Sequence, residues 1–184
     1  MLLWRKLTNV IVEKTLTVKK TATFNVESGG AFQLAGTAVT ASAAELNMAA
    51  DNSANVEVVT ATNVITAAES GKTFFLNSTT EFVSTLPAAA AGLRYKFIVT
   101  GAPSGASYTV VTDSSANIIK GSFSSSDLNA ASDVDIETSG GDTITFVDSK
   151  AVAGDWVEVI CDGTNWFASG HCSAYDALTI TTAS

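Results

Sequence analysis

The stretch Gly154-Asp-Trp-Val-Glu-Val-Ile-Cys-Asp-Gly-Thr-Asn-Trp-Phe-Ala-Ser-Gly170 decides the fold class. Apolar residues dominate on both sides of Asp162-Gly163, a dipeptide that is typical of tight turns. The pattern predicts a β-hairpin whose aromatic side chains enter a hydrophobic core. A surface on which a sugar ring stacks is the alternative for Trp156 and Trp166.

Short segments with strand-like composition continue on both sides of this hairpin, at a spacing of about ten residues that is typical of β-sandwiches and barrels. The 184 residues include 28 Ala, 24 Thr, 20 Ser and 13 Gly, which favours many short strands joined by tight turns. We expect an all-β fold, with an antiparallel β-sandwich or barrel as the body. The predicted strands of this body are Val56–Ala61, Thr73–Asn77, Phe82–Leu86, Arg94–Thr100, Ser107–Thr112, Asn117–Ile119, Val134–Glu137, Thr143–Val147, Trp156–Cys161, Trp166–Ser169 and Leu178–Thr181.

A period of two runs through Thr15–Ala38, where the even positions are mostly apolar and the odd positions mostly polar. Ser28-Gly29-Gly30 interrupts the pattern, so the segment is two strands, a hairpin or one bent strand. A lone ribbon is marginally stable in water, and its apolar stripe must be covered by the body of the same chain or by ribbons of other copies. We expect the second arrangement, with an oligomer interface formed by Leu16, Val18, Phe24, Val26, Phe32 and Leu34.

A short helix is predicted after the ribbon, from about Ala41 to Met48. Ser42 and Glu45 have the spacing of a capping box, and the residues between and after them favour helix. Asp51-Asn52-Ser53 then breaks the pattern. We therefore divide the chain into an extended N-terminal β arm with one short helix, residues 1–50, and the β body, residues 51–184.

Charge is distributed unevenly along the chain, whose net charge is −8. Residues 1–20 hold five bases and one acid, a net of +4, whereas residues 21–184 hold five bases and seventeen acids, a net of −12. The basic N-terminus is either a solvated segment or an arm that docks on an acidic neighbouring surface. In the second case the anchoring residues are those that fill apolar pockets or pair with acidic groups: Leu2, Leu3, Trp4, Arg5, Lys6 and Leu7.

Two classes of partner are disfavoured. The acidic balance argues against nucleic acid, because binding to the phosphate backbone depends on Lys and Arg. No apolar run approaches the roughly 18 to 20 residues that a membrane-spanning helix needs. We expect neither nucleic acid nor a membrane as a partner.

Residues that carry catalytic or metal chemistry are scarce. One histidine, His171, excludes a multi-histidine metal centre and is the one candidate base for a Ser-His-Asp triad. It lies in Ser169-Gly-His-Cys-Ser173, near Asp176, but closeness in sequence is weak support for a catalytic role. Cys161 and Cys172 are too few for a disulfide framework and are interpreted as buried thiols, with a disulfide as the alternative. We expect no enzyme activity, no metal and no cofactor.

Four stretches together resemble structural proteins of tailed-bacteriophage virions. Val39-Thr-Ala-Ser-Ala-Ala-Glu-Leu-Asn47 resembles a short element that recurs in such proteins after small-residue β repeats. The other three, in their order along the chain, resemble a β domain of these proteins. They are Glu69-Ser-Gly-Lys-Thr-Phe-Phe-Leu-Asn77, Leu86-Pro-Ala-Ala-Ala-Ala-Gly-Leu-Arg-Tyr-Lys-Phe-Ile-Val99 and Gly154-Asp-Trp through Asp162-Gly-Thr-Asn-Trp166. Together the four are distributed over residues 37–170.

This resemblance implies a role in the virion. Such families include head decoration (cement) proteins, which are not enzymes, and tail-fibre or spike components, and they are usually homotrimers. A single short ribbon favours a decoration protein on the outer surface of the capsid, bound to the major capsid protein, over a long fibre. The alternative is a tail-fibre, spike or baseplate component that binds a receptor or glycan through distal loops, around Ser122–Asn129 or Gly170–Tyr175.

Overall fold

The computed structural model describes residues 33–41, 45–46, 52–78, 80–127 and 134–182. The chain divides into two compact units, Met1–Ala43 and Ala44–Ser184. The anchoring residues 2–7 and the predicted interface residues from Leu16 to Phe32 lie outside the described residues and stay predictions. The same holds for most of the predicted helix, of which Glu45 and Leu46 are described and helical.

The described part of the first unit is a two-stranded hairpin. Strand β1 (Gln33–Leu34) pairs antiparallel with β2 (Thr37–Ala38), so that Leu34 lies opposite Thr37. The two connecting residues, Ala35 and Gly36, have φ angles of 51° and 81°, as the tight turns of two-residue hairpins require. The period of two therefore does not continue along one strand to Ala38, because the chain reverses at Gly36, where a positive φ is easily adopted.

The second unit consists of two β-sheets. Its strands are β3 (Val56–Val59), β4 (Asn63–Val64), β5 (Thr73–Leu76), β6 (Phe82–Thr85), β7 (Arg94–Val99), β8 (Tyr108–Val111), β9 (Ile119–Ser125), β10 (Val134–Gly141), β11 (Thr143–Phe146), β12 (Trp156–Cys161), β13 (Trp166–Cys172) and β14 (Leu178–Thr181). The seven-stranded sheet has the order β10-β9-β13-β12-β7-β5-β3, and the five-stranded sheet has the order β14-β11-β8-β6-β4. Short 3₁₀ turns occupy Asn52–Asn55 and Ala67–Glu69.

The chain crosses from one sheet to the other after each strand between β3 and β9. As a result, β3, β5 and β7 are parallel neighbours in one sheet, and β4, β6 and β8 are parallel neighbours in the other. The later strands of this unit form the antiparallel pairs β10–β9, β11–β8, β11–β14, β12–β7 and β12–β13, and one further parallel pair, β13–β9. The all-β prediction is confirmed, but both sheets are mixed rather than antiparallel throughout. A turn signal does not show whether the next strand joins the same sheet or the opposite one.

Most predicted strands are present within one or two residues of their expected ends. Trp156–Cys161 and Leu178–Thr181 agree at both ends. The two-residue strand β4 was not predicted, since Asn63-Val64 is too short to show a period. Strand β9 extends beyond the predicted Asn117–Ile119 segment, to Ser125. The sequence does not predict this extension, because its second half is rich in serine, which has a weak strand propensity.

One hydrophobic core lies between the two sheets. Trp166 is fully buried, with its ring 5.8 Å from that of Tyr95. Phe82 stacks on Tyr108 at a ring distance of 4.4 Å. The core interpretation is therefore confirmed for Trp166. It is wrong for Trp156, whose side chain is half-buried on the opposite side of its strand.

Glu69 fixes the turn that leads into β5. Its Oε2 accepts hydrogen bonds from the backbone N–H and the hydroxyl of Thr66, at 2.8 and 2.7 Å, and its Oε1 lies 2.9 Å from Lys72 Nζ. Lys72 also pairs with Glu57 of β3 at 2.9 Å. Partial burial raises the pKa of the Glu69 carboxyl, but the hydrogen bonds from Thr66 and Lys72 outweigh this effect and lower the pKa to about 2.

We expect Glu69→Gln to lower the free energy of unfolding by about 1 kcal/mol at neutral pH, because a charged hydrogen-bonding group and an ion pair are lost near solvent. A carboxyl whose pKa is lower in the folded than in the unfolded chain stabilises the fold at pH values above its unfolded pKa. This stabilisation is lost as the pH falls through its folded pKa. The difference between wild type and variant should therefore shrink from pH 4.5 to about 2. Urea unfolding at a series of pH values measures this difference in the free energy of unfolding. Asp113→Asn, at an exposed carboxylate, is the control. A difference that does not change with pH would contradict the prediction.

Candidate functional site

The seven-stranded sheet presents one side to the core and the other side away from it. We call the second side the outer face and define it by the alternate residues that the burial pattern places there. These residues are Val56, Val58, Thr73, Phe75, Arg94, Lys96, Ile98, Lys120, Ser122, Ser124, Trp156, Glu158, Ile160, Phe167, Ser169 and His171.

An apolar row crosses four neighbouring strands of the outer face. The strand registers place Trp156 opposite Ile98, Ile98 beside Phe75 and Phe75 beside Val58. Val58 is 59% exposed, and the other three are half-buried by one another and their neighbours. Neighbouring strands lie about 4.8 Å apart, so these side chains form a continuous strip.

A second apolar pair lies at the far end of the same strands. Ile160 and Phe167 are directly opposite in the β12–β13 hairpin and are 48% and 49% exposed. Single exposed apolar residues are common on protein surfaces, but a strip and a pair on one sheet face form a patch of the kind that marks an interaction site. The outer face therefore has the apolar content of a surface that binds another molecule.

Positive charge is concentrated on this face. Arg94, Lys96 and Lys120 belong to it, so that three of the five bases of residues 44–184 are in one region. Lys72 is next to this region, but its ammonium group is paired with Glu57 and Glu69. Glu158 is the acidic residue within the face. Lys96 Nζ lies 4.6 Å from the centre of the Trp156 ring, a cation–π contact that holds the ammonium group over the apolar strip.

An open cleft of about 270 Å³ lies within the cationic part of the face. It is lined by Gly71, Lys72, Thr73, Arg94, Tyr95, Lys96 and Glu158. The Tyr95 hydroxyl donates a hydrogen bond to the backbone oxygen of Thr66 at 3.0 Å. Burial, and then the charges of Glu69 and Cys161, raise the pKa of Tyr95 to about 12, so this hydroxyl stays protonated. The cleft can bind carboxylate or hydroxyl groups through its cations and its glutamate.

Parallel pairing of β9 with β13 brings two distant stretches of sequence together. His171 lies beside Ser124, and its Nδ1 and Nε2 are 3.0 and 2.9 Å from the hydroxyls of Ser124 and Ser126. Gly121 permits this pairing, because a Cβ at that position would collide with the backbone oxygen of Ala168. The two predicted receptor loops thus meet. Residues 122–125 and 170–172 are strand rather than loop, whereas residues 126–127 and 173–175 lie outside the strands.

The catalytic groups suggested by Ser169–Asp176 are dispersed. Asp176 pairs with Lys150 at 3.7 Å, and Ser173 donates to Asp155. Cys172 is buried on the core side, and this burial raises the pKa of its thiol, which lowers its reactivity. Because His171 contacts two serine hydroxyls, no carboxylate among its described partners orients the ring as in a Ser-His-Asp triad.

Both cysteines are free and buried, as the sequence predicts. Within the described residues, no group of three or more His, Cys, Asp and Glu side chains is placed to hold a metal ion. No helix in the described part of the chain is long and apolar enough to cross a membrane. Of the predicted interface residues, only Leu34 is described, in β1.

The outer face was missed by the sequence analysis, although its signal is present. Arg94, Lys96 and Ile98 alternate with buried residues of β7, and Trp156, Glu158 and Ile160 do so in β12. What the sequence lacks is the order of the strands, which places these six residues side by side. Comparisons with family models, with curated proteins and with solved structures find no match.

We expect wild type and His171→Ala to hydrolyse an activated ester, 4-nitrophenyl acetate, at similar rates. Without a carboxylate to fix its tautomer, an exposed imidazole contributes little beyond the reactivity of free histidine. Initial rates measured with Ser126→Ala as the matched control would test this. A wild-type rate more than about tenfold above that of His171→Ala would contradict it, since general base catalysis contributes at least about a hundredfold in enzymes.

Proposed function

We propose that this protein is a non-enzymatic structural protein of a tailed-bacteriophage virion, a decoration (cement) protein that binds the outer surface of the assembled head and stabilises it. The major capsid protein is then its principal partner, and the outer surface of the capsid is its location. The proposal needs no catalytic group, metal or cofactor. The structural observation that carries it is the outer face, which has the composition of a surface used in protein assembly and needs no catalytic group. The sequence resemblance supplies the context of a virion.

The outer face has the composition of a protein-binding surface. Aromatic residues and arginine are enriched in protein interfaces, where a few of them contribute most of the binding free energy. Trp156, Phe167 and Arg94 are such residues on this face. A β-sheet supports them rigidly, so that little conformational entropy is lost when a partner binds.

The N-terminal arm provides the attachment to the shell in this proposal. The apolar residues among 2–7 would fill pockets of the shell, and Arg5 and Lys6 would pair with acidic groups around them. An extended arm can also add a strand to an exposed sheet edge of a capsid subunit, through main-chain hydrogen bonds. Its charge, +4 over residues 1–20, suits an acidic shell.

Stabilisation of the head follows from binding to the assembled state. A protein that binds the shell but not free subunits stabilises the shell by RT ln(1 + [L]/Kd) per site, roughly 2.7 kcal/mol when its free concentration is a hundred times Kd. A homotrimer would present three arms at once, which raises the effective concentration of the second and third contacts. Weak single contacts then suffice for stable attachment to the shell.

A tail-fibre, spike or baseplate component with receptor or glycan binding is the second candidate. The observation that favours it is the meeting of β9 and β13, where Ser124, Ser126 and His171 present hydroxyl and imidazole groups at the surface. Such groups suit sugar hydroxyls. A glycan array probed with purified protein separates the two candidates, because a purely structural role on the head predicts no specific binding.

We expect antibodies against this protein to label heads rather than tails in electron micrographs of purified virions. Deleting residues 1–14 should reduce the number of copies per head by at least about tenfold, because the arm contacts are lost. Lys6→Gln should weaken attachment more than Lys150→Gln, which removes the same single charge from the body. Label confined to tails would contradict the decoration role, and unchanged occupancy would contradict the role of the arm.

A further inference from the structure

We propose that the outer face is a contact between copies of this chain, in which the apolar and cationic outer face of one copy packs against an acidic surface of the next. This contact is additional to the expected ribbon interface, which involves residues 16–34. This contact would add to the trimeric assembly that the proposed function includes. It does not depend on a virion role, because it is inferred from the charged and the exposed apolar side chains of the second unit.

The apolar part of the face supplies the driving force. The strip Val58, Phe75, Ile98 and Trp156 and the pair Ile160 and Phe167 lie on one sheet, and the exposed members are among the most exposed large apolar residues described. Burying apolar surface contributes about 25 cal/mol per Å², so a partner that covers this face removes a substantial apolar area from water. The opposite sheet offers no such patch of large side chains, because its outward residues are mostly Thr and Val, such as Thr109, Thr145 and Val83.

Charge identifies the occupant as a sister copy. Residues 44–184 hold sixteen acids and five bases. Three of the five bases lie on the outer face, and a fourth, Lys72, is paired with Glu57 and Glu69. Asp142 and Asp155 are buried, but most of the other described acids of this unit lie at the surface outside the outer face. Glu81, Asp148 and Asp176, for example, flank the same end of β6, β11 and β14 in the five-stranded sheet. Every copy thus carries both halves of a complementary pair of surfaces.

The sign of the charges also determines the type of contact. If two outer faces packed on each other about a two-fold axis, Arg94, Lys96 and Lys120 of one copy would face the same cations of the other, with one Glu158 per face to compensate. Contact between the outer face and a different, acidic surface avoids this repulsion. Such a heterologous contact closes into a ring when its rotation fits, and three copies are the closed ring that agrees with the proposed trimer.

The experiment measures the self-association of the full-length chain by light scattering during size-exclusion chromatography over a range of concentrations. Ile160→Asp with Phe167→Asp places two carboxylates on the outer face at sites about half exposed, so folding is preserved. Val64→Asp, at a residue 71% exposed in the other sheet, is the control for a single carboxylate placed away from the outer face. We expect the double variant to raise the dissociation constant by at least about thirtyfold and the control to leave it nearly unchanged.

Arg94→Glu with Lys120→Glu is a second variant that removes no apolar surface and tests the electrostatic part. It should weaken association, and rising salt should weaken the association of wild type but not of this variant. Melting temperatures within a few degrees of wild type show that each variant is folded. Phe24→Asp with Phe32→Asp changes the expected ribbon interface alone. Its effect on association, compared with that of the outer-face variants, distinguishes the two interfaces.

Three results would overturn the inference. These are a wild-type chain that is monomeric at micromolar concentration, outer-face variants that associate as wild type does, or a contact equally sensitive to Val64→Asp. None of them bears on whether the protein labels virion heads. Conversely, an absence of label on heads would overturn the proposed function while leaving this contact between copies in place.

Discussion

The structure depends on the repeated crossing of the chain between two sheets that bury their inward side chains against each other. From β3 to β9, successive strands join the seven-stranded and the five-stranded sheet in turn, and both sheets pack on the same core. The side chains of Phe74, Phe97 and Val157 are excluded from water only because Phe82, Tyr108 and Ile144 close the other side. Alternation along each strand then fixes the remaining residues on the outside. The outer face is thus a direct consequence of how the core is formed.

Much of the fold could be predicted because strand periodicity is a local property. The hairpin at Asp162-Gly163, its flanking strands and the position of Leu178–Thr181 follow from patterns within a few residues. Strand direction is not local. Whether the chain after Val59 turns back beside β3 or crosses to the other sheet depends on contacts with residues far along the sequence, such as the pairing of Phe75 with Ile98. The parallel half of the fold was therefore missed.

In the candidate site, too, the residue types can be found from the local sequence, whereas their grouping depends on the pairing of strands that are distant in sequence. The sequence analysis noted His171 and the serines near residue 122 as separate features, and the pairing of β9 with β13 makes them one cluster. It treated both tryptophans of the hairpin alike, yet they lie ten positions apart on opposite sides of the sheet, Trp166 in the core and Trp156 beneath Lys96. Only the positions of neighbouring strands separate their roles.

The short strands β3 and β4 lie at the same end of the two sheets, and each has one free edge among the described residues. In this arrangement each layer is a pair of strands, one in each sheet. The number of layers is not fixed by the architecture, because a further pair needs only the open strand edges of the last pair. A gene duplication or an insertion of a single layer before Val56 would lengthen the molecule without disturbing β12, β13 or the surfaces built on them. Proteins of this architecture can therefore evolve in height by whole layers while their binding surfaces stay constant.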